Sequence, residues 1–304
     1  MAGIPLILLA AFFFPGIIIR TKSIMSGRKG PGILQPMLDI RVLFGKGSVY
    51  STTTGPVFKL APVVGLATML SVLTVVPFAN MPALIPFQGD FVFFSYMLAL
   101  GKFFMIIGAL DTGSSFEGMG ANREALYSML AEPAFLVLMG TFAMLTGYTS
   151  FSDMFMAFHV SANPMITVFG LIGFYLLVQI AMIENSRMPV DDPKTHLELT
   201  MIHEVMILDY SGFDKALIHI TTAIRFAVYG SLICSSLVPA AWHPGFQILL
   251  FISVQLAFAI IIGIGESFRA RNKMQKNAQF ILTLTAVAML AFMVVLIVTN
   301  KLII

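Results

Sequence analysis

Charged residues and cysteine are both scarce in this 304-residue sequence, and each scarcity excludes a class of protein. Only 11% of the residues are charged, against about 25% in an ordinary soluble domain, while 58% are hydrophobic. A soluble domain of this length could not hide so much apolar surface, so the composition predicts a membrane protein. The single cysteine, Cys234, excludes a disulfide framework and any cysteine-ligated cluster within the chain. The net charge of +3 is spread too thinly to predict a nucleic-acid partner.

Apolar runs long enough to cross a bilayer, which takes roughly 20 residues each, recur along the whole chain. They cover residues 3–20, 56–79, 91–110, 122–147, 163–183, 215–239, 246–267 and 277–300. The first run lacks the basic flank and cleavage site of a signal peptide, so we expect a retained helix. Residues 32–44 have helical spacing of their apolar side chains, which predicts a short amphipathic helix on the inner surface. The predicted fold is therefore an all-α polytopic membrane domain, residues 1–304, with about eight transmembrane helices and no internal repeat.

Basic residues are distributed asymmetrically between the two sides of this predicted membrane domain. The outer connections, residues 80–90, 148–162 and 240–245, contain no lysine or arginine. The inner segments contain Arg20, Lys22, Arg28, Lys29, Arg41, Lys46, Arg187, Lys194, Arg269, Arg271, Lys273 and Lys276. Cytoplasmic loops carry such an excess, so the pattern predicts that the N-terminus lies outside the cell. The two long inner loops, residues 21–55 and 184–214, are then the surfaces available to a hydrophilic partner.

Several ionisable residues lie inside the predicted spans, where a charge costs a few kcal/mol or more. Glu132 lies about 15 Å into the fourth span at 1.5 Å per residue, beside Pro133, which has no backbone N–H to donate. Lys102 and Arg225 lie within the third and sixth spans. Four more charged residues gather where spans three and four meet the inner face: Asp111, Glu117, Arg123 and Glu124. Such charges either pair with one another to hold the bundle together or carry protons, and Glu132 favours the second role. We expect its cation partner to be Arg123, Lys102 or Arg225.

The inner loop 184–214 concentrates acidic residues. It holds seven of the fifteen acids in the chain, namely Glu184, Asp191, Asp192, Glu198, Glu204, Asp209 and Asp214. A solvated loop is the simpler interpretation, but the interleaved Met, Val, Ile and Leu residues require part of it to be buried. A partly buried acidic segment suits a proton path or a docking surface. No metal site is predicted, because the histidine that would complete an HExxH motif after His203 is replaced by Ile207.

Three segments together resemble the complex I subunit 1 family, a membrane subunit of NADH-quinone oxidoreductases. The first inner loop contains residues 26–36 (SGRKGPGILQP), followed by Asp39 and Lys46. Residues 122–123 (NR) precede Glu132 at the spacing of that family's arginine and deep glutamate. The signature loop between spans five and six is similar to residues 184–193 (ENSRMPVDDP), Glu198-Leu199 and residues 209–212 (DYSG). These matches extend over nearly the whole chain.

Within that family, other segments look more like the membrane anchor of energy-converting nickel–iron hydrogenases and formate hydrogenlyase. They are residues 110–116 (LDTGSSF), 120–125 (GANREA), 266–267 (ES) and 270–271 (AR), with Lys102 where those anchors carry a basic residue. The chain departs from the family pattern at Lys194-Thr195-His196, where the family usually has Glu-Ala-Glu. About three extra residues also precede Asp209, which replaces a usual glutamate.

The resemblance implies a subunit without a cofactor of its own that connects a redox arm to an ion-translocating membrane arm. The expected partners are a hydrogenase-like large subunit and a small iron–sulfur subunit at the inner face, which would carry the nickel–iron centre and the iron–sulfur clusters. Antiporter-like membrane subunits and the lipid bilayer are the other expected partners. Two alternatives stay open: the quinone-chamber subunit of a complex I-like quinone oxidoreductase, and a stand-alone ion transporter. A sealed, narrow cavity between the two inner loops would favour the hydrogenase, and an open apolar cavity would favour the quinone reductase.

Two groups of residues are predicted to carry this function, none of them as a catalytic residue or a metal ligand. The predicted coupling residues are Glu132, Lys102, Asp111, Arg123, Glu184, Asp191, Glu198, Asp209 and Arg225. The predicted residues at or supporting the docking contact are Arg28, Gln35, Asp39, Arg187 and Asp191.

Overall fold

Helices account for all the regular secondary structure in the described part of the chain. The computed structural model describes residues 3–79, 81–157, 164–191, 201–237, 243–269 and 272–299. The helices there are α1 (Gly3–Met25), α2 (Gln35–Phe44), α3 (Pro56–Val75), α4 (Asp90–Asp111), α5 (Ser115–Thr146), α6 (Phe151–Ala157), α7 (Pro164–Glu184), α8 (His203–Met206), α9 (Gly212–Leu237), α10 (Pro244–Phe268) and α11 (Met274–Val298). The prediction of an all-α fold is confirmed.

Eight of these helices are long and apolar enough to cross a membrane, as predicted. They are α1, α3, α4, α5, α7, α9, α10 and α11, and the chain is an integral membrane protein. Proline begins α3 at Pro56 and α10 at Pro244, where the missing N–H has no helical partner to lose. A glycine ends helix α5. Gly147 adopts φ +79°, and its N–H donates to the carbonyl of Ala143 in the last turn of that helix.

Helix α9 forms the centre of the bundle. Its most apolar stretch is 83% buried, whereas the corresponding stretches of the other seven long helices are 28–44% buried. It packs against α1, α2, α3, α7 and α10. Gly230 leaves room for the Gln255 side chain of α10, because a Cβ there would lie 2.3 Å from the Gln255 amide. The closest pairs that do not involve α9 are α3 with α4, α5 with α11, α1 with α10, and α4 with α5.

Two features of the helices differ from the sequence-based expectation. Helix α5 begins at Ser115, seven residues before the predicted span, because its first two turns pack on α8 and bury Glu117, Gly120 and Ala121. It continues through Pro133 as one helix. The short helices α6 and α8 were not predicted, since neither is long enough to show a hydrophobic period. The predicted inner-surface helix is present as α2, which buries Ile40 and packs on α9.

Candidate functional site

A buried lysine connects three of the membrane helices. Lys102 of α4 places its Nζ 3.0 Å from Oε1 of Glu184, the last residue of α7, and 3.5 Å from Oε1 of Glu124 on α5. The same amino group donates a hydrogen bond to Ser128 Oγ at 3.0 Å. All three charged residues are only 5–6% exposed. One cation is shared by carboxylates from two helices. Movement or protonation of either carboxylate therefore changes the electrostatic energy of the other.

Further polar contacts surround this cluster. Ser186 Oγ donates to Oε2 of Glu124 at 3.3 Å, and Arg225 Nη1 of α9 donates to the backbone carbonyl of Glu184 at 2.9 Å. The Nε of Arg225 has no hydrogen-bond partner within the described residues. Beside it lies a void of about 20 Å³, bordered by His203 and Thr221. A void of that size holds one water molecule, which would satisfy the guanidinium and extend the polar network toward α8.

Glu132 lies next to the lysine cluster but does not join it. The side chain is half-buried and forms no ion pair with any residue that the structure describes. It borders an outward-facing cavity together with Lys102, and a small inner void together with Glu184 and Tyr229. The expected direct partners are engaged elsewhere: Lys102 by the two other carboxylates, and Arg225 by a carbonyl. Packing therefore places Glu132 beside the cation without a direct contact.

Two acids near the predicted inner face hold backbone segments in place. Oδ2 of Asp191, which is 1% exposed, accepts hydrogen bonds at 3.1 Å from the backbone N–H groups of Ile202 and His203. Glu117 of α5 accepts the backbone N–H of Asp209 at 3.0 Å. A carboxylate bound by backbone N–H groups holds that segment in a single position. These contacts fasten both ends of α8 to the membrane bundle.

Asp111 and Arg123 have the same fastening role at neighbouring segments. Oδ2 of Asp111 accepts the N–H of Gly55 at 2.7 Å, at the N-terminus of α3, where a negative charge is favourable. Arg123 donates to the carbonyl of Met201 at 3.1 Å. Glu198, the remaining predicted coupling residue, lies outside the described residues.

His203 is held neutral at the end of this network. Burial, together with the positive charge of nearby Arg225, lowers the pKa of His203 to about 3. The unfolded imidazole binds a proton near pH 6.5, whereas the folded one does not, so this residue lowers the free energy of unfolding as pH falls below 6.5. In neutral solution the imidazole can accept or donate a hydrogen bond without adding charge to the cluster.

A second ion cluster joins the end of α7 to α1 and α10. Arg187 Nη1 lies 3.1 Å from Oε1 of Glu266, and Lys22 Nζ lies 3.5 Å from Oε2 of the same carboxylate. The guanidinium also lies over the Phe226 ring, 5.0 Å from its centre. Glu266 was absent from the predicted coupling residues, although it is an acid at the inner end of an otherwise apolar span.

The predicted docking residues fall into two groups in the structure. Arg28, Gln35 and Asp39 are exposed, and Gln35 Nε2 donates to Oδ1 of Asp39 at 2.8 Å. Arg187 and Asp191 lie inside, in the contacts described above. Between the groups lies a cavity of about 260 Å³ that is bordered by Asp39, Arg187, Glu204 and His219 and by apolar residues of α1, α2 and α9.

Other members of the site gave no chemical signal of their own in the sequence, although Ser186 and Tyr210 lie within the matched segments. Ser128 and Ser186 are ordinary serines in linear order, and only packing brings them to Lys102 and Glu124. Tyr210 stacks on Phe58 with ring centres 4.0 Å apart and donates to the Phe58 carbonyl at 3.0 Å.

Among the described residues, no group of three or more His, Cys, Asp or Glu side chains is arranged to hold a metal ion.

Comparison with known proteins agrees with the fold and with the motifs of the sequence. The family model described as NADH dehydrogenase matches residues 1–298. Hydrogenase-4 component C of Escherichia coli (strain K12) is 31% identical over 249 residues, which cover 79% of this chain and 74% of that protein. Formate hydrogenlyase subunit 4 of the same organism is 32% identical over 198 residues, or 65% of this chain and 63% of that protein, slightly under two thirds of its length.

Two more distant matches extend the comparison, one in sequence and one in structure. A subunit of the NADH-quinone oxidoreductase of Anoxybacillus flavithermus is 25% identical over 249 residues, covering 79% of this chain and 74% of that protein. A chain in the structure of the membrane-bound sulfane sulfur reductase, an archaeal respiratory membrane complex, superposes with a TM-score of 0.81. That match covers 96% of both chains at 18% identity, so it establishes the fold alone.

Proposed function

The chain belongs to the NADH dehydrogenase family and is a membrane subunit of a hydrogenase-like or complex I-like assembly; from this premise we propose its specific role. It is the membrane anchor and ion-coupling subunit of a membrane-bound hydrogenase complex similar to formate hydrogenlyase. It connects a hydrophilic redox arm at its inner loops to an ion-translocating membrane arm. The greater identity to the two hydrogenase proteins than to the quinone oxidoreductase subunit supports this choice.

One observation carries the coupling half of the proposal: the 3.0 Å ion pair between Lys102 and Glu184. Glu184 ends α7, where the inner loop begins, while Lys102 lies within the membrane beside Glu132. A displacement of the inner loop therefore moves one carboxylate of the cluster directly. Since Lys102 is shared with Glu124, the lysine shifts in response, and the electrostatic potential at Glu132 changes with it.

That change is sufficient to control a proton. A shift of one pKa unit in any acid corresponds to about 1.4 kcal/mol, which is small beside the energy of a buried ion pair. When Lys102 moves away from Glu132, the protonated carboxyl is favoured, and when it returns, the ionised form is favoured. Glu132 takes up and releases its proton accordingly, while Asp191, Arg123 and Glu117 hold the loop segments whose movement drives the cycle.

The anchoring half of the proposal rests on the exposed side chains of the first inner loop. Arg28, Gln35 and Asp39 are available to bind a hydrogenase-like large subunit and a small iron–sulfur subunit, whose cofactors conduct the electrons. Arg187 and Asp191 support that surface from within. With the outer connections free of lysine and arginine, these loops face the cytoplasm of a prokaryotic cell, and the N-terminus lies outside.

Glu132→Gln tests the coupling role in the assembled complex. The amide keeps the shape of the side chain and removes its proton-carrying ability, so electron transfer to an artificial acceptor should persist while formation of an ion gradient falls at least tenfold. Inverted membrane vesicles with a pH-sensitive dye measure the gradient. Asp153→Asn is the matched control, because this acid lies on the predicted outer side away from the network. Full ion translocation by the assembled Glu132→Gln complex would reduce Glu132 to a structural role.

Charge reversal tests the anchoring role. Arg28→Glu and Arg187→Glu together should release the hydrophilic arm from washed membranes, the first by direct repulsion and the second by breaking the Glu266 contact that positions the loop. Immunoblotting of the arm in membrane and soluble fractions gives the result. Lys276→Glu is the control, since this exposed inner residue lies outside both predicted docking loops. An arm that stays bound in the double variant contradicts the proposal.

A quinone-chamber subunit is the second candidate, and an apolar cavity favours it. The cavity has a volume of about 360 Å³, lies between α1, α2 and α9, and is bordered by Leu8, Phe12, Phe44 and Ile224 with Arg41 at its edge. It adjoins the 260 Å³ cavity described above, with which it shares Ile40 and Ala223. A photoreactive quinone analogue should label α1 or α9 if a quinone binds there, and absence of labelling would leave the hydrogenase role alone.

Affinity purification distinguishes the third alternative, a stand-alone transporter, from both of these candidate functions. The proposed role requires a nickel–iron subunit to accompany the affinity-tagged chain from mild detergent, whereas a transporter would purify alone.

A further inference from the structure

Helix α5 lacks one backbone hydrogen bond in the turn that carries Glu132. Pro133 has no N–H, so the carbonyl of Met129, four residues earlier, has no helical donor. In the bilayer core such a turn is stabilised by a neighbouring helix, a hydroxyl side chain or a bound water. Helix α5 nevertheless continues through this turn without interruption. A hydroxyl on a neighbouring helix provides part of that support.

Thr285 of α11 is the residue whose hydroxyl contacts this turn. Its Oγ1 lies 3.2 Å from the carbonyl oxygen of Leu130 on α5. It also lies 3.2 Å from the carbonyl oxygen of Ile281, four residues earlier on its own helix. A hydroxyl has one proton to donate, so it bonds to one carbonyl at a time or shares the proton between both. The same side chain can therefore hold α5 or release it without leaving its position.

The turn separates two parts of α5 that are held by different contacts. On its outer side, Phe135 stacks on Phe94 of α4 with ring centres 5.1 Å apart. On its inner side, Ser128 and Glu124 contact the amino group of Lys102. A helix bends most readily where its backbone hydrogen bonding is interrupted, which is here between the two parts. A bend at this turn moves the inner part of α5 while the aromatic part stays in place.

Glu132 lies on the opposite side of α5 from the Thr285 contact. Leu130 and Glu132 are two residues apart, which is about 200° around the helix axis at 3.6 residues per turn. Glu132 borders one cavity with Lys102 and a small void with Glu184. It forms no ion pair in the part of the chain that the structure describes, so no contact of its own fixes its distance from these charges. That distance depends on the bend of α5, which α11 restrains from the other side.

We propose that Thr285 is a positioning residue for Glu132, whose hydroxyl holds or releases the turn of α5 that Pro133 weakens. The inference rests on the proposed function, in which the electrostatic potential at Glu132 controls its proton. While the hydroxyl bonds to Leu130, the turn is held and Glu132 keeps its distance from the lysine cluster. When the hydroxyl bonds to Ile281 instead, α5 is free to bend and Glu132 moves relative to its charged neighbours.

Thr285→Val tests this role, because valine keeps the shape of the side chain and lacks the hydroxyl. The variant complex should assemble and transfer electrons to an artificial acceptor at the parent rate. The ion gradient formed per electron should fall by about threefold or more, the scale on which one hydrogen bond changes an equilibrium. Thr285→Ser keeps the donor and should retain the parent value. The matched control is Thr283→Val, since the Thr283 hydroxyl bonds to the Phe280 carbonyl of its own helix at 2.6 Å.

Infrared spectroscopy gives a readout at Glu132 itself. The C=O band of its protonated carboxyl, identified by its absence in Glu132→Gln, should shift in frequency in Thr285→Val and stay unchanged in Thr283→Val. A parent-like gradient and band in Thr285→Val, or equal losses in both valine variants, would overturn the inference. Full ion translocation by Glu132→Gln would instead reject the proposed function, whichever result Thr285→Val gives.

Pro133→Ala provides a second test, from the other side of the contact. The alanine N–H restores a donor for the Met129 carbonyl, so α5 bends less readily. The gradient per electron should again fall by about threefold, and adding Thr285→Val should cause no further loss, because the turn no longer depends on the hydroxyl. A parent-like gradient in Pro133→Ala, or independent losses in the double variant, would show that this turn is not the hinge.

Discussion

The outer and inner parts of α4 and α5 are held together by opposite kinds of contact. Toward their predicted outer ends, the Phe94 ring of α4 stacks on Phe135 of α5 with centres 5.1 Å apart, and it meets Phe151 edge-on at 5.6 Å. Two to three turns further toward the predicted inner side, the same two helices meet through Lys102 and Glu124. One pair of helices thus changes from ring packing to ion pairing along its length.

The aromatic part of this helix pair is expected to be rigid, whereas the ion-paired part is expected to respond to changes in charge. Aromatic packing depends on shape and dispersion, which do not change when a proton or a partner charge arrives. An ion pair in a low-dielectric setting changes its energy steeply with a shift of a few tenths of an ångström. The outer part therefore acts as a fixed support, and in the proposed function the inner part is where a movement of the inner loop alters the protonation of Glu132.

Lys102→Met should have the largest effect on stability. It leaves Glu124 and Glu184 buried without their shared cation, a loss of about 3–5 kcal/mol. The chain should accumulate poorly in membranes and unfold at a lower temperature in detergent. Adding Glu124→Gln and Glu184→Gln to this variant should restore accumulation but not ion translocation. A single Lys102→Met variant as stable as the parent would show that the inner part does not depend on ion pairing.

Phe135→Ala should have a smaller effect on stability and leave coupling intact. The truncation removes buried apolar contacts and leaves a cavity, a loss of about 3 kcal/mol, at the lower end of the range for such substitutions. Thermal unfolding should fall accordingly, while the ion gradient formed per electron transferred stays at the parent value. Leu249→Ala, on an exposed face of α10, is the control for a general loss of apolar volume. A drop in the gradient per electron would mean that the aromatic region takes part in coupling.

Glu124→Gln and Glu132→Gln should differ in stability although both remove one carboxylate from α5. The first loses the Lys102 contact and weakens the hydrogen bond from Ser186, at a cost of about 1.5 kcal/mol. The second loses no ion pair and should stay within about 0.5 kcal/mol of the parent. Thermal unfolding of the purified complexes measures both. An equal loss of stability in the two variants would mean that Glu132 stabilises the fold as much as Glu124 does.

Labelling at the two faces should have the smallest effect on the molecule and tests its orientation. In a Cys234→Ala background, cysteine at Tyr148 should react with a membrane-impermeant maleimide from outside, and cysteine at Ser26 only from the cytoplasmic side. Both positions are exposed. Ser152, in the same outer region, is buried, so a cysteine there would not react with the maleimide. Neither substitution should change activity. Reversed labelling would invert the topology.

Much of the fold was predictable because membrane insertion is decided by local composition. Each long helix is a run of apolar residues, and the sum over some twenty neighbours is available in the sequence without any tertiary information. The exceptions have the same explanation: the first turns of α5 and the whole of α8 form because they pack on each other, which no window of sequence records.

The sequence predicted which charged residues belong to the candidate site better than it predicted which of them contact one another. A charge within an apolar run is conspicuous, so Lys102, Glu132 and Arg225 could be selected from the sequence alone. Their partners could not. Glu184 reaches Lys102 across 82 positions of sequence, and Asp191 binds backbone N–H groups, a role that no charge pattern predicts.

The order of amino acids is enough to establish that this chain crosses a membrane with eight helices, which residues bring charge into it, and the family to which it belongs. It does not reveal that Lys102 binds Glu184 and Glu124 and leaves Glu132 facing an open groove, which follows from the packed helices. The reason is geometric: hydropathy adds up along a segment, whereas an ion pair depends on the rotation of each helix about its axis. That rotation is set by packing against neighbours that are distant in the chain.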